Sequence, residues 1–323
     1  MEKWKQIKVK HHYVWEYYLK SWAVDNKVFW LTTKGNVAHD SPKGMCREDG
    51  FYKVSVLDVA DVAYILEWSK KSPEFLQREH RKHLEPFLEA SRAIERIRAS
   101  YIESDELKVC ENALLFNTLE NHYCGIESGA KHALDGLAIG DLSVLEDKSV
   151  SIGLYSYLGH QVTRTKALKE RFLELSVKRM PPSTARDEAI RLTEKNWWFI
   201  CFMLGENIGW SMYSYRHEEK LMLIKNTTDT PFITCDSPIV NIHPNNDVLP
   251  KGEPSEFLDM LFPISPSYAL IIATSTQWDS LKEGVSLNAV SELNARIAAN
   301  ARFSIYGNMR SVIDANKKEV GTW

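Results

Sequence analysis

The apolar residues of this 323-residue chain change period twice, and that change limits the fold more than any other feature. Between about residues 55 and 210 they recur three or four positions apart, the spacing of one face of a helix. Leu57, Val62, Ile65, Leu66 and Trp68 make such a stripe, and Pro73 ends the helix or restarts it. Helical patterns follow over 107–119 and 155–175. Met180-Pro181-Pro182-Ser183-Thr184 is the clearest break, with Ser183 or Thr184 placed to cap the next helix.

On either side of this middle the texture is β. Val28, Phe29 and Trp30 favour a strand, Lys34-Gly35-Asn36 reads as its turn, and a Gly/Asn/Asp/Pro-rich loop runs to Gly50. Residues 15–22 read as a short helix. After Trp210 come short apolar runs over 221–225, 231–234, 238–242 and 268–273, separated by turn-forming residues. Leu287, Val290, Leu293 and Ile297 define a last helix, with Ser286 as its N-cap. The expectation is an α+β fold: an N-terminal strand segment, a large helical middle, and a mixed β-sheet in the C-terminal third with a closing helix. It would form one domain over 1–323. Residues 55–210 make a mainly helical subdomain, and 1–54 with 211–323 make a sheet-containing one.

Composition excludes some classes. With 44% hydrophobic and 26% charged residues the chain is an ordinary globular one. A formal charge of −3, from 40 Lys+Arg against 43 Asp+Glu, excludes a globally basic nucleic-acid binder but not a local basic groove. The longest apolar stretch, 197–204, is far short of the ~20 residues that span a bilayer. The opening residues 1–8 lack the apolar run of a secretory signal. The five cysteines are odd in number and form no CxxC pair, as expected of reduced thiols in a cytoplasmic protein.

No dinucleotide, Walker, zinc-protease, hydrolase-elbow or EF-hand motif is present. The second half of the nuclease pattern D…(D/E)xK occurs four times, at Asp25, Glu106, Glu146 and Glu218, which shows how little one occurrence means. Only Glu218-x-Lys220 borders an expected strand. His11-His12-Tyr13 sits among Lys3, Lys5, Lys8, Lys10 and Lys20, so an imidazole could move a proton, bind metal or help hold an anion there, or simply be a satisfied core histidine. Gln161 interrupts the apolar stripe of its helix, and Arg164, one turn on, presents a planar fork suited to phosphate or carboxylate. The pair fits equally an internal hydrogen-bond network. Asp236, in Thr234-Cys235-Asp236-Ser237-Pro238, would ligate a divalent cation, act as a general base or form a structural turn. Asn294 flanks the stripe of the last helix and could cap the Asp236 turn, while Arg302 could add basic lining. His80 and His83 lie on a highly charged helix and read as a solvated face.

The order of these segments resembles one bacterial family, the domain of unknown function 4238 family. Its members open with His-Tyr-Val-Pro and Tyr-Leu, and carry a Gln-x-x-Arg-Thr helix, a Thr-Ser-Asp-Asn-Pro turn and a Pro-Leu-Ser-Pro turn. Here the counterparts are His12-Tyr13-Val14, Tyr18-Leu19, Gln161 to Thr165, Thr234 to Pro238, Pro263-Ile264-Ser265-Pro266 and Asn294. Trp15, Lys166, Cys235 and Ser237 depart from the pattern. The resemblance implies that distant segments converge on one polar site, and it carries no activity with it.

Two functions follow as expectations. In one, the protein is a metal-assisted nuclease or phosphodiesterase serving as a toxin or anti-phage effector. Asp236 would hold Mg²⁺ or Mn²⁺, His12 would be base or second ligand, Arg164 would stabilise phosphate charge, and His11, Tyr13, Gln161, Asn294 and Arg302 would bind substrate. In the other, the same polar set is a structural clamp in a non-catalytic module that binds a ligand or a partner protein through its many aromatics.

Overall fold

The computed structural model describes residues 6–248 and 255–322. Lys3 and Lys5 lie outside the described residues.

The N-terminal quarter is a set of short pieces: β1 (Lys10–His12), α1 (Glu16–Leu19), β2 (Val28–Leu31), β3 (Val37–Asp40) and β4 (Arg47–Asp49). The 34–50 stretch expected as loop therefore holds two strands. β3 pairs with β2 across the Gly35 turn, and β4 pairs with β1. Gly35 sits at φ +79°, a left-handed conformation open to glycine at little cost.

The helical middle is α2 (Val59–Ser69), α3 (Glu74–Ala99), α4 (Asp105–Ala138), α5 (Lys148–Thr163), α6 (Lys166–Arg179) and α7 (Thr184–Tyr215). Its starts are set by local chemistry. Asp58 and Asp61 form a reciprocal capping box on α2, Pro73 precedes α3, and the Ser183 hydroxyl accepts from Arg186 N at 3.1 Å. The single helix expected over 155–175 is two. Arg164 leaves helical geometry at φ −84°, ψ 18°, and the Thr165 hydroxyl caps the new start by accepting from Leu168 N.

α5 is held against α4 and α7 at backbone contact. A Cβ on Gly159 would lie under 3.0 Å from Gly205 O and Gly209 N, and one on Gly153 would lie under 3.0 Å from Gly129 O. Only glycine permits this approach. No helix among the described residues is long and apolar enough to cross a membrane.

The remainder is β5 (Lys220–Lys225), β6 (Thr234–Cys235), β7 (Val240–Asn241), β8 (Met260–Ser265), β9 (Tyr268–Ala273), α8 (Leu287–Asn300), β10 (Ile305–Gly307) and α9 (Arg310–Asn316). One sheet runs β5-β9-β8-β7, and another runs β3-β2-β10-β6, so the early strand does join the late ones, with Trp30 opposite Tyr306 and Cys235 opposite Ile305. Every described pairing is antiparallel rather than mixed: β2–β3 and β8–β9 are hairpins, while β10 meets β2 and β6 across long stretches of chain.

β8 and β9 explain why these strands read as unbroken apolar runs. Met260, Phe262, Ile264, Leu270 and Ile272 pack into the helical core, while Leu261, Ala269 and Ile271 pack with Val290, Leu293 and Ile297 of α8. Both faces are covered, so alternation disappears. Each fully buried Leu or Ile there contributes roughly 1.5–3 kcal/mol.

Candidate functional site

Most of the expected site residues gather around two polar hubs, with Tyr13 between them. The first is centred on Arg164, which is 1% exposed just after α5. Its Nη1 donates to Glu127 Oε1 on α4 at 2.7 Å, while Nε and Nη2 donate to Gln161 Oε1 at 3.2 and 2.8 Å. The rings of Tyr123 and Tyr157 flank the guanidinium, with centroids 5.3 and 5.6 Å from its carbon. Gln161 then turns its Nε2 to the Tyr13 carbonyl, 3.0 Å away. One amide thus couples α5 to the N-terminal segment.

That segment is fastened further by Tyr52, whose N–H donates to His11 Nδ1 at 2.7 Å and whose hydroxyl donates to the His12 carbonyl at 3.0 Å. On β1 the two histidines point to opposite faces. His11 is fully buried and stacked on Tyr52, whereas His12 is half-buried with Nε2 3.3 Å from the Lys43 carbonyl. Burial pushes both imidazoles below their ordinary range, and for His12 the Arg47 and Arg164 charges push the same way.

The second hub is Asp236, 3% exposed at the end of β6. Its Oδ1 accepts from Arg302 N at 2.8 Å, and its Oδ2 accepts from Phe303 N at 2.8 Å and Ser304 N at 3.2 Å. Its own N–H donates to Ser304 O at 3.1 Å. Burial lifts this carboxyl to about 6, against the pull of those N–H donors. Both oxygens are occupied by the turn that leads from α8 into β10.

Tyr13 links the hubs. Its carbonyl belongs to the Arg164 network, and its hydroxyl hydrogen-bonds Cys46, whose thiol donates to Tyr306 Oη at 3.1 Å. Burial, with the Asp236 charge second, pushes the Cys46 thiol well up, so it stays protonated. Lys166 lies 5.3 Å from the Tyr13 ring and pairs with Glu48.

Asn294 does not cap the Asp236 turn. Its Oδ1 accepts from Ile233 N at 3.0 Å and its Nδ2 donates to Pro231 O at 2.9 Å, so it grips the chain leading into β6. Asn300, one helical turn and a half later, reaches the Asp236 turn, donating to Ser237 O at 2.8 Å. The Arg302 side chain points away and pairs with Glu170 at 2.7 Å, beside a charged cleft of about 260 Å³ between α6 and the end of α8. Glu218 and Lys220 do flank a strand, and Lys220 is paired with Asp279 at 2.7 Å.

His80 and His83 are not on a solvated face. His80 is 2% exposed and bonded to Ser69 Oγ and Asn207 Oδ1, each at 3.0 Å, because α3 turns the side that carries it against α2 and α7. The charged residues occupy its other side.

Sequence reasoning missed Glu127, Tyr52, Cys46 and Tyr306. Glu127 had a signal: it stands in the stripe Tyr123, Ala130, Leu134, where an acid needs a buried partner. Cys46, at φ +48°, had none. Among the described residues no three His, Cys, Asp or Glu side chains gather in a way that could hold a metal ion. All five cysteines are free thiols.

No curated protein and no solved structure matches the chain. The family model described as a protein of unknown function, DUF4238, matches residues 10–196 and 205–311, and with nearly the whole chain covered, the protein belongs to that family.

Proposed function

We propose that the protein is a non-catalytic binding module in which the family's polar residues are a clamp. The observation that carries this reading is saturation. Arg164, Gln161, Asp236 and Asn294 are all buried and spend their polar groups on partners inside the chain. A group that handles phosphate or metal needs a face turned to solvent, and Arg164 and Asp236 have almost none. The clamp fastens the N-terminal segment to α5 and the α8–β10 turn to β6, leaving recognition to surfaces elsewhere. Exposed aromatics support that division: Phe75 and Trp210 meet edge to face at 5.9 Å on α3 and α7, and both are exposed.

The test pairs thermal melts of the Arg164→Ala, Asp236→Ala and Asn294→Ala variants with cleavage assays on single- and double-stranded DNA and RNA, in Mg²⁺, Mn²⁺ or chelator. The clamp reading expects Tm losses of several degrees in all three and no metal-dependent cleavage by the wild type. Metal-dependent cleavage lost in a stably folded Asp236→Ala variant overturns it in favour of the nuclease.

A further inference from the structure

A second feature lies where the helical bundle meets the sheet, away from the clamp. The short helical turn Ser143–Glu146, the start of α5, the end of α7 and the start of β5 border a cleft of about 720 Å³. Small-molecule sites typically fall within roughly 300–1,000 Å³. The walls of this one are of two kinds. Leu142, Leu145 and Leu221 turn aliphatic groups into it, each half-buried and packed against the helical core. Arg216, Lys148 and His217 bring nitrogen atoms to the same space.

Arg216 is held in place without an acid. It directly follows α7, its guanidinium carbon lies 3.9 Å from the centroid of the Tyr213 ring, and its Nη1 donates to the Tyr213 carbonyl at 2.6 Å. Stacking and that one bond orient the fork, and its other N–H groups have no carboxylate partner among the described residues. By contrast Arg78, Arg92, Arg98 and Arg191 each pair with a glutamate. Lys148 and His217 are exposed and likewise have no ion pair among the described residues. The carboxylate on the lining is Glu146. Asp141 and Asp147 beside it serve their own turns, accepting from Ser143 N at 2.9 Å and Ser149 N at 2.7 Å. Arg216 and Lys148 thus outnumber the lining's acid, and a fork oriented in this way suits a carboxylate or phosphate.

We propose that this cleft binds a medium-chain aliphatic anion, its carboxylate or phosphate head held by Arg216 and Lys148 and its chain laid over Leu142, Leu145 and Leu221. The proposal rests on the binding-module reading and names a ligand class for it. Both halves of the ligand are needed. A bare inorganic anion leaves the leucines in water, and an uncharged hydrocarbon leaves the guanidinium without an acceptor. The Tyr213 ring is covered by Arg216 and met edge to face by Tyr155 at 5.9 Å, so the lining offers aliphatic contact rather than a stacking surface.

The experiment is calorimetric titration of the full chain with decanoate, decyl phosphate, hexanoate and decanol, each kept below micelle-forming concentration. Expected is saturable one-to-one binding of decanoate or decyl phosphate, the tighter of the two identifying the head group. Decanol, which lacks the charge, and hexanoate, which lacks much of the chain, should each bind at least about tenfold more weakly. Arg216→Met and Lys148→Glu should each weaken the anion about tenfold or more while melting near the wild type. Lys148 is exposed at the start of α5, so its variant decides the matter even where Arg216→Met misfolds. No saturable binding of either ten-carbon anion at millimolar concentration, equal affinity for decanol or hexanoate, or unchanged affinity in either folded variant overturns the proposal. None of these outcomes touches the clamp, which melts and cleavage assays judge separately.

Discussion

Glu127 Oε1 and Arg164 Nη1 lie 2.7 Å apart with both residues buried, so a carboxylate from α4 and a guanidinium from the end of α5 neutralise each other inside the helical core. The arrangement is costly to assemble but more costly to half-dismantle, since either partner alone leaves an uncompensated buried charge.

Arg164→Met should therefore destabilise the fold by about 3–5 kcal/mol, which in a chain of this size lowers Tm by roughly 6–10 °C. Arg164→Lys should recover little, because an ammonium cannot serve Glu127 and Gln161 Oε1 with one planar fork. Combining Arg164→Met with Glu127→Gln should return part of the loss. Thermal melts of the four proteins check this, and a double variant no better than the single one would refute the coupling.

Asp236 gives a pH signature. Its carboxyl titrates at about 6 in the folded protein and at about 3.9 unfolded, so between those values the folded state binds the extra proton. Stability contributed by this group is present below about pH 4, declines as pH rises to about 6, and is flat above. The Tm difference between wild type and Asp236→Asn, measured across pH 4–7, should shrink through that window. A difference that grows with pH would show the opposite shift.

Asn294→Ala leaves the Ile233 N–H and the Pro231 carbonyl unpaired in the interior. At ~1–3 kcal/mol for each of the two unsatisfied groups, the expected cost is roughly 2–6 kcal/mol. Asn294→Asp should also fail, since it sets a carboxylate oxygen against the Pro231 carbonyl. Urea denaturation, read as a fall in midpoint at constant slope, is the measurement.

Two glycines should respond in opposite senses. Gly159→Ala forces the α5 backbone away from α7 and should cost about 1–3 kcal/mol or more. Gly125→Ala, at an exposed position of α4 where an added Cβ meets nothing within 4 Å, should stabilise by about 0.5–1 kcal/mol. Paired melts decide it, and equal effects would contradict the packing described for Gly159.

Much of the fold was legible along the chain because its signals are local. The caps at Ser183 and Ser286, the Lys34-Gly35-Asn36 turn and the helical period of the middle each act within a few residues. The interruption of an apolar stripe at Gln161 also marked a buried polar group correctly, and the same test applied to Glu127 would have found its partner's counter-charge.

What the chain could not declare by itself is which buried groups meet. Gln161 finds Tyr13 across 148 positions, and Asp236 finds the Arg302 backbone across 66. Whether α3 turns His80 inward or outward, and whether Asn294 or Asn300 serves the Asp236 turn, depends on how helices rotate against neighbours distant in sequence. The sequence determined most of the elements, their order and the residue types that must be satisfied once buried. Only tertiary packing decided the pairings, because a buried hydrogen bond is fixed by the position of both partners and local propensity supplies only one.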